Sequence, residues 1–324
     1  METDAYRDLI LADMARLYPE RDPAAVSIFT DTSDFYRINS GDVVVLDAEH
    51  RYVMGNNTRE GRFGLDDEVK YWVKRATDLS TGERRIVKLA FFEHFDNTIG
   101  GIKFECFRSP RKEARILELV RGHPHFMQGV TLPDSAGNLV RVLEVIPGKA
   151  LPGTVQELDC DHETYFHEHF PALLDRYIDC VRAIALLHQH GEKHGDVRRD
   201  HILVDATTKA HRWIDFDYNF IHGENIYSLD VFGLGNIIVY LAGKGDILTG
   251  DLKRDRPDIL DTLYWEDLSL VWGNRVANVA KVYPYIPQSL TRILLQFSNH
   301  ATLTYEHAGQ MLDDLQAVRA DLAR

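Results

Sequence analysis

A strand-rich first half followed by a helix-rich second half predicts an α+β protein of two lobes. Two patterns carry this. Before residue 150 the apolar residues fall in short extended runs broken by turn residues, and beyond it they recur at helical spacing. The bulk composition allows it: 324 residues, 44% hydrophobic and 27% charged, can bury a sizeable core, which excludes a disordered, collagen-like or coiled-coil protein.

The elements follow in order. Tyr6, Leu9, Ile10, Met14 and Leu17 mark an amphipathic helix that Pro19 stops. Extended segments come next at Val43-Val44-Val45-Leu46, Tyr71-Trp72-Val73 and Ile86-Val87-Lys88-Leu89-Ala90, with Ser80-Thr81-Gly82-Glu83 as a hairpin turn between the last two. A helix is expected over 110–121, ended by Gly122 and Pro124, and then a strand from Leu139 to Ile146 closed by Pro147-Gly148. Leu174, Ile178, Val181, Ile184 and Leu187 form the stripe of one long helix. Leu229 to Leu241 is apolar nearly all round and reads as a buried helix, and Met311, Leu315, Val318 and Leu322 mark a terminal one.

No run approaches the roughly 18 apolar residues of a membrane span, and residues 1–20 lack a basic start followed by an apolar stretch. Cys106, Cys160 and Cys180 lie far apart with no Cys-x-x-Cys, which points to a reducing, cytoplasmic setting rather than a disulfide frame. The formal charge of −13 argues against nucleic acid or a membrane surface as a partner.

The chemistry concentrates in His194-Gly195-Asp196-Val197-Arg198-Arg199-Asp200-His201-Ile202-Leu203-Val204-Asp205, and then in Ile214-Asp215-Phe216-Asp217. Leu203-Val204 and Trp213-Ile214 each abut acidic or imidazole groups, as two short strands of a hairpin would if they carried polar groups to one end. That arrangement gathers Asp196, His201 and Asp215 around one point. A lone Asp is usually a turn former and a lone His a structural residue; it is the order and spacing that suggest oxygen ligands beside an acceptor for a hydroxyl proton, as Mg²⁺-assisted phosphoryl transfer needs.

In this order the segment resembles the protein-kinase-like superfamily, whose pattern is His-x-Asp, four residues, Asn, and then Asp-Phe-Gly. Here it reads His194-Gly195-Asp196, four residues, His201, then Asp215-Phe216-Asp217. Upstream, Ile86-Val87-Lys88 is similar to the third-strand lysine motif. Glu113-Ala114-Arg115-Ile116-Leu117-Glu118-Leu119-Val120 before His123-Pro124 resembles the regulatory helix, and Leu143-Glu144-Val145-Ile146-Pro147-Gly148 the hinge. Downstream, Asp230-Val231-Phe232-Gly233-Leu234-Gly235 resembles the buried helix whose first Asp braces the catalytic loop, and residues 286–315 the last helices of a Ser/Thr kinase. The likeness covers residues 51–324. It implies a bilobal fold, with a small β-rich lobe over 51–145, a larger helical lobe over 146–324 and an ATP cleft between. Residues 1–50 match nothing in the family and are either a helix and strand packed on the small lobe or a regulatory or partner-docking extension.

The resemblance also implies roles. Asp196 accepts the proton of the attacking hydroxyl, Asp215 and His201 hold Mg²⁺, and Lys88 contacts the phosphates of ATP while paired with Glu113 rather than Glu118. Arg198 lies near the transferred phosphate. Backbone groups around Glu144 to Ile146 meet the adenine, Val73 and Leu203 wall it, and a loop bearing Gly61 and Gly64 covers the phosphates. Four departures matter. His201 replaces the metal-binding Asn, as in one branch of aminoglycoside phosphotransferases, which raises tolerance for Mn²⁺. Gly195 replaces the Arg of the catalytic motif. Only 15 residues separate Asp215 from Asp230, a short connection like that of small-molecule kinases. Gly64 stands 24 residues before Lys88, farther than usual, and an ordinary hairpin turn would serve as well. The expected function is an atypical Ser/Thr protein kinase of bacterial type. The alternatives are a kinase for a small hydroxyl-bearing molecule and a nucleotide-binding pseudokinase that works as an interaction module.

Overall fold

The computed structural model describes residues 2–22, 26–60, 68–99, 102–221, 225–301 and 305–323. In chain order the strands are β1 (Ile28–Phe29), β2 (Val43–Val45), β3 (Arg51–Glu60), β4 (Glu68–Asp78), β5 (Arg84–Lys88), β6 (His94–Ile99), β7 (Ile102–Arg108), β8 (Gly129–Pro133), β9 (Leu139–Glu144), β10 (Gly148–Ala150), β11 (Ile202–Asp205), β12 (His211–Trp213) and β13 (Tyr218–Ile221). The helices are α1 (Glu2–Leu17), α2 (Pro110–Leu119), α3 (Leu151–Gln156), α4 (His162–Thr164), α5 (Phe170–Gln189), α6 (Ser228–Ala242), α7 (Thr249–Asp255), α8 (Pro257–Leu260), α9 (Gln288–Leu295) and α10 (Ala308–Asp321). The protein is therefore mixed α+β, and it divides into two compact units.

The first unit holds residues 1–93, 109–122 and 127–146. Its sheet runs β1-β2-β3-β4-β5-β9-β8, antiparallel throughout except for the parallel pair β1 and β2. Cross-strand register places Val73 opposite Lys88, and Lys88 opposite Arg141. Val87, Leu89, Ala76, Met54 and Val142 form a buried cluster with Phe35, Ile38 and Val44 from the N-terminal segment. Ile10 and Met14 of α1 pack with Val43, Val53 and Leu79. Arg16 Nη2 donates to the Leu79 carbonyl at 2.6 Å, and Arg51 pairs with Asp13 at 2.8 Å. Residues 1–50 are thus built into this unit by apolar burial. In α2, Ser109 caps the helix by accepting the Lys112 N–H at 3.2 Å, Pro110 occupies the first turn, and Glu113, Ile116 and Leu117 face inward.

The second unit holds residues 94–108, 123–126 and 147–324. The stripe read from the sequence of α5 is buried along its length, from Leu174 to Leu187, and α6 is buried nearly all round. The expected hairpin forms as β11 and β12, and β10 joins it on the outer side of β11. A second small sheet has the order β13-β7-β6 and was not foreseen in the sequence reading. Phe104 and Cys106 of β7 are buried with Phe220 of β13 and Phe232 of α6.

That sheet moves the division of the chain. The break falls at Ile146 and Pro147, one residue from the expected boundary, but residues 94–108 group with the second unit. The reason is a ladder from Tyr218 opposite Arg108 to Ile221 opposite Glu105. Among the described residues no helix is long and apolar enough to cross a membrane.

Beside the loop of Asp196, α6 approaches closely at Gly233, where a Cβ would stand 2.2 Å from the carbonyl oxygen of Val197. Gly233→Ala should therefore force the backbone beside Asp196 to move. It should cost about 1–3 kcal/mol in urea unfolding, as overpacking does; an unchanged midpoint would show that the loop yields freely.

Candidate functional site

In the first unit, Lys88 ends β5 and its ammonium reaches Glu113 Oε1 at 2.8 Å. The other oxygen, Oε2, takes the Arg141 Nε–H at 2.9 Å. Glu113 is fully buried, and both cations are nearly so. Arg141 is anchored in turn on the carbonyls of Leu139 at 2.6 Å and Leu89 at 3.2 Å. A carboxylate held this way cannot swing from the lysine it positions. Glu118 instead pairs with Arg121 on the exposed face of α2. Arg141 escaped the sequence reading, although its signal is visible: a guanidinium in the middle of Leu139-Val140-Arg141-Val142-Leu143 must find an acceptor on being buried.

The other residues expected around a nucleotide in this unit are less uniform. Val73 is buried beside Lys88 on the adjacent strand. Glu144 ends β9, and its N–H donates to the Gln128 carbonyl at 3.0 Å while its side chain takes the Gln128 N–H at 2.6 Å. These contacts tie Glu144 into the end of β9, which lies between β5 and β8. Ile146 enters no backbone hydrogen bond among the described residues. Gly61 and Gly64 lie outside the described residues.

In the second unit the chemistry hangs on Asp230, the third residue of α6 and fully buried. Its carboxylate accepts the backbone N–H groups of His194 at 2.7 Å and Gly195 at 2.8 Å. It also accepts from His188 Nε2 at 3.1 Å. His188 Nδ1 takes the Ala308 N–H at the start of α10, so the ring proton must sit on Nε2. Burial pushes the Asp230 carboxyl up, but the His188 hydrogen bond, the nearby imidazoles and the Gly195 N–H outweigh it and hold the group below its usual value. Gly195 has φ +88°, a left-handed conformation that an arginine would adopt only with strain. A residue without a Cβ suits this backbone.

Beyond this brace, Asp196, His201 and Asp215 come together. His201 Nδ1 is 2.9 Å from the Asp196 carbonyl and 3.5 Å from its Oδ2, and Nε2 is 3.8 Å from Asp215 Oδ2. A carbonyl only accepts, so Nδ1 carries the hydrogen, and the Nε2 lone pair accepts from Arg198 Nη2 at 3.1 Å. The Ile214 N–H donates to the His201 carbonyl at 3.0 Å, and this bond draws the end of β12 to the loop. Asp215 itself has φ +63°, a strained conformation that Asp tolerates better than most residues. Arg198 grips Asp200 through Nη2 at 2.6 Å and Nε at 3.2 Å, and its Nη2 lies 3.1 Å from His201 Nε2. Leu203 is half-buried in β11.

Asp215 Oδ2 and His201 Nε2 stand 3.8 Å apart and could share one divalent ion only once the Arg198 guanidinium, 3.1 Å from Nε2, is withdrawn. Among the described residues no group of three or more His, Cys, Asp or Glu side chains is placed to hold a metal by itself. Asp217, where the family has glycine, is buried and clamped by Arg108 Nη1 at 2.9 and 3.0 Å, while Arg108 Nη2 donates to the Tyr218 hydroxyl and its guanidinium lies 3.9 Å from that ring. This ion pair commits the Asp217 carboxylate to Arg108. No protein-family model matches the chain, and no curated protein matches it.

Two outcomes follow. Arg108→Met leaves a buried carboxylate without its guanidinium and should cost about 3–5 kcal/mol in urea unfolding, with Asp217→Asn in the same chain recovering a large part; strictly additive losses would mean the two groups do not couple. The depressed Asp230 carboxyl stabilises the fold above the ordinary carboxylate value of about 4, and that contribution is lost as pH falls through its folded value. Asp230→Asn should lower stability at neutral pH, and the gap to the unaltered protein should close below about pH 4. A gap constant with pH would overturn the assignment.

Proposed function

We propose that the chain is an ATP- and divalent-metal-dependent phosphotransferase. The observation that carries this reading is the gathering of Asp196, His201 and Asp215 around one point on a loop that buried Asp230 braces. Asp196 is the group to accept the proton of an acceptor hydroxyl, being part-exposed and fixed by its neighbours. His201 and Asp215 would hold the ion, which supplies charge neutralisation for the phosphates. Lys88 would meet the phosphates, held by Glu113 as Glu113 is held by Arg141.

For the acceptor, the resemblance of the chain to Ser/Thr kinases favours a protein hydroxyl. One observation favours a small hydroxyl-bearing molecule instead: the chain after Asp217 runs directly into β13, whose ladder with β7 takes up residues 218–221. Those residues are not available as a ledge for an extended peptide.

Transfer of label from γ-labelled ATP tests the reading. Label should appear on added protein, or on a metabolite pool under the second reading, only with Mg²⁺ or Mn²⁺. Asp196→Asn should reduce it by at least about 10²-fold, the scale of a lost general base, and His201→Asn should keep or raise the rate with Mg²⁺. Equal signal from the unaltered protein and Asp196→Asn would overturn the assignment.

A further inference from the structure

Lys74 stands next to Val73 in β4, and its cross-strand neighbours are Val87 on β5 and Asn57 on β3. It is 2% exposed. An ammonium has three N–H donors, yet among the described residues this one makes a single hydrogen bond, 2.8 Å to Asn57 Oδ1, and no ion pair. Burial holds the ammonium below its usual value, with Asp42 acting electrostatically in the opposite direction; the Asp42 carboxylate takes the Asn39 N–H at 2.7 Å. A buried cation left with unmade hydrogen bonds is costly, so such a site calls for an acceptor.

The space for one is present. Register shifts between Met54 and Asn57 and again between Asn57 and Thr58 break the β3 and β4 ladder beside Lys74. The N-terminal segment covers this break, and a cavity of about 140 Å³ remains. Its lining includes Lys74 together with the amide side chains of Asn39, Asn56 and Asn57. Tyr36 and Tyr71 also line it, with ring centroids 5.2 Å apart, and both are exposed, at 65% and 44%.

We infer that this pocket is a second ligand site, for a small oxyanion, carboxylate or phosphate, carried on a compact apolar body. The oxyanion accepts the remaining N–H groups of Lys74 in charge-assisted bonds, with the Asn amides as further donors. A metal cation is repelled by Lys74, and a neutral hydroxyl compound leaves its charge uncompensated. A benzene ring fits an apolar cavity of about 150 Å³, so a single ring or its equivalent is the size limit, and the two tyrosines at the opening offer it flat apolar faces. Every residue involved lies in the first unit, and four of those that line the pocket belong to the segment 36–40 that matches no family motif.

Isothermal titration of the full chain with phenyl phosphate, benzoate and phenol tests this. Phenyl phosphate or benzoate should bind once per chain, and which of the two binds tells phosphate from carboxylate. Phenol should bind at least tenfold more weakly. Lys74→Met should weaken the anion at least tenfold while its thermal midpoint without ligand stays at or above that of the unaltered protein, because an unsatisfied buried charge has been removed. Lys88→Met should bind as before, which separates this pocket from the proposed phosphotransfer chemistry. If Lys74→Met does not fold, Tyr71→Ala carries the test and should weaken the anion severalfold. No binding of either anion, an affinity unchanged in Lys74→Met or Tyr71→Ala, or binding abolished in folded Lys88→Met would each overturn the inference.

Discussion

A single buried carboxylate sets the geometry of the second unit. Asp230 accepts from the backbone of residues 194 and 195, so it fixes main chain, and every side chain that follows on the loop inherits its position. The brace extends outward through His188 to the first N–H of α10. It also explains Gly195: presenting two successive N–H groups to one carboxylate turns the backbone to φ +88°, where a residue without Cβ is favoured. From Asp230 onward the order is causal. The fixed loop places Asp196 and His201, the bond from Ile214 to His201 brings in Asp215, and Arg108 ties down Asp217 two residues later.

The first unit uses the same logic with the signs reversed. There an acid is shared by two cations, and Arg141 stands to Glu113 as His188 stands to Asp230. In each case the residue named by a motif is held by a partner outside the motif, and the partner is held by backbone carbonyls or amides. Buried charged groups have to be satisfied on all sides. A chemical role assigned to Lys88 or Asp196 therefore commits several residues that no motif contains.

This is why the sequence was legible in part. The stripe of α5, the all-round burial of α6 and the meeting of Asp196 with His201 and Asp215 follow from periodicity or from ordered spacing, and the pairing of Lys88 with Glu113 over Glu118 from the resemblance. The hairpin of β6 and β7 did not, because its ladder partner β13 lies more than a hundred residues further along the chain and no local pattern announces the pairing. Arg108 and Asp217 were missed for the same reason: each is ordinary alone, and only the fold brings them together. The resemblance assigns the backbone around Glu144 to Ile146 to an adenine, while the hydrogen bonds between Glu144 and Gln128 arise from a pairing that spacing does not show.

The charge balance is the last point on which sequence and structure differ. A formal charge of −13 suggests a molecule unsuited to anionic ligands. Yet among the described residues the buried side chains include eight Lys and Arg against seven Asp and Glu, so the acidic excess lies outside the interior. Surface carboxylates are screened within about 10 Å at ordinary ionic strength, whereas a lysine such as Lys74 or Lys88 acts on its neighbours through a low-dielectric interior. Any affinity for a phosphate or carboxylate would be set by those few sequestered cations and by how completely their hydrogen bonds are satisfied. Net charge bears on encounter and solubility; it carries no information on whether an oxyanion, once inside, meets a cation.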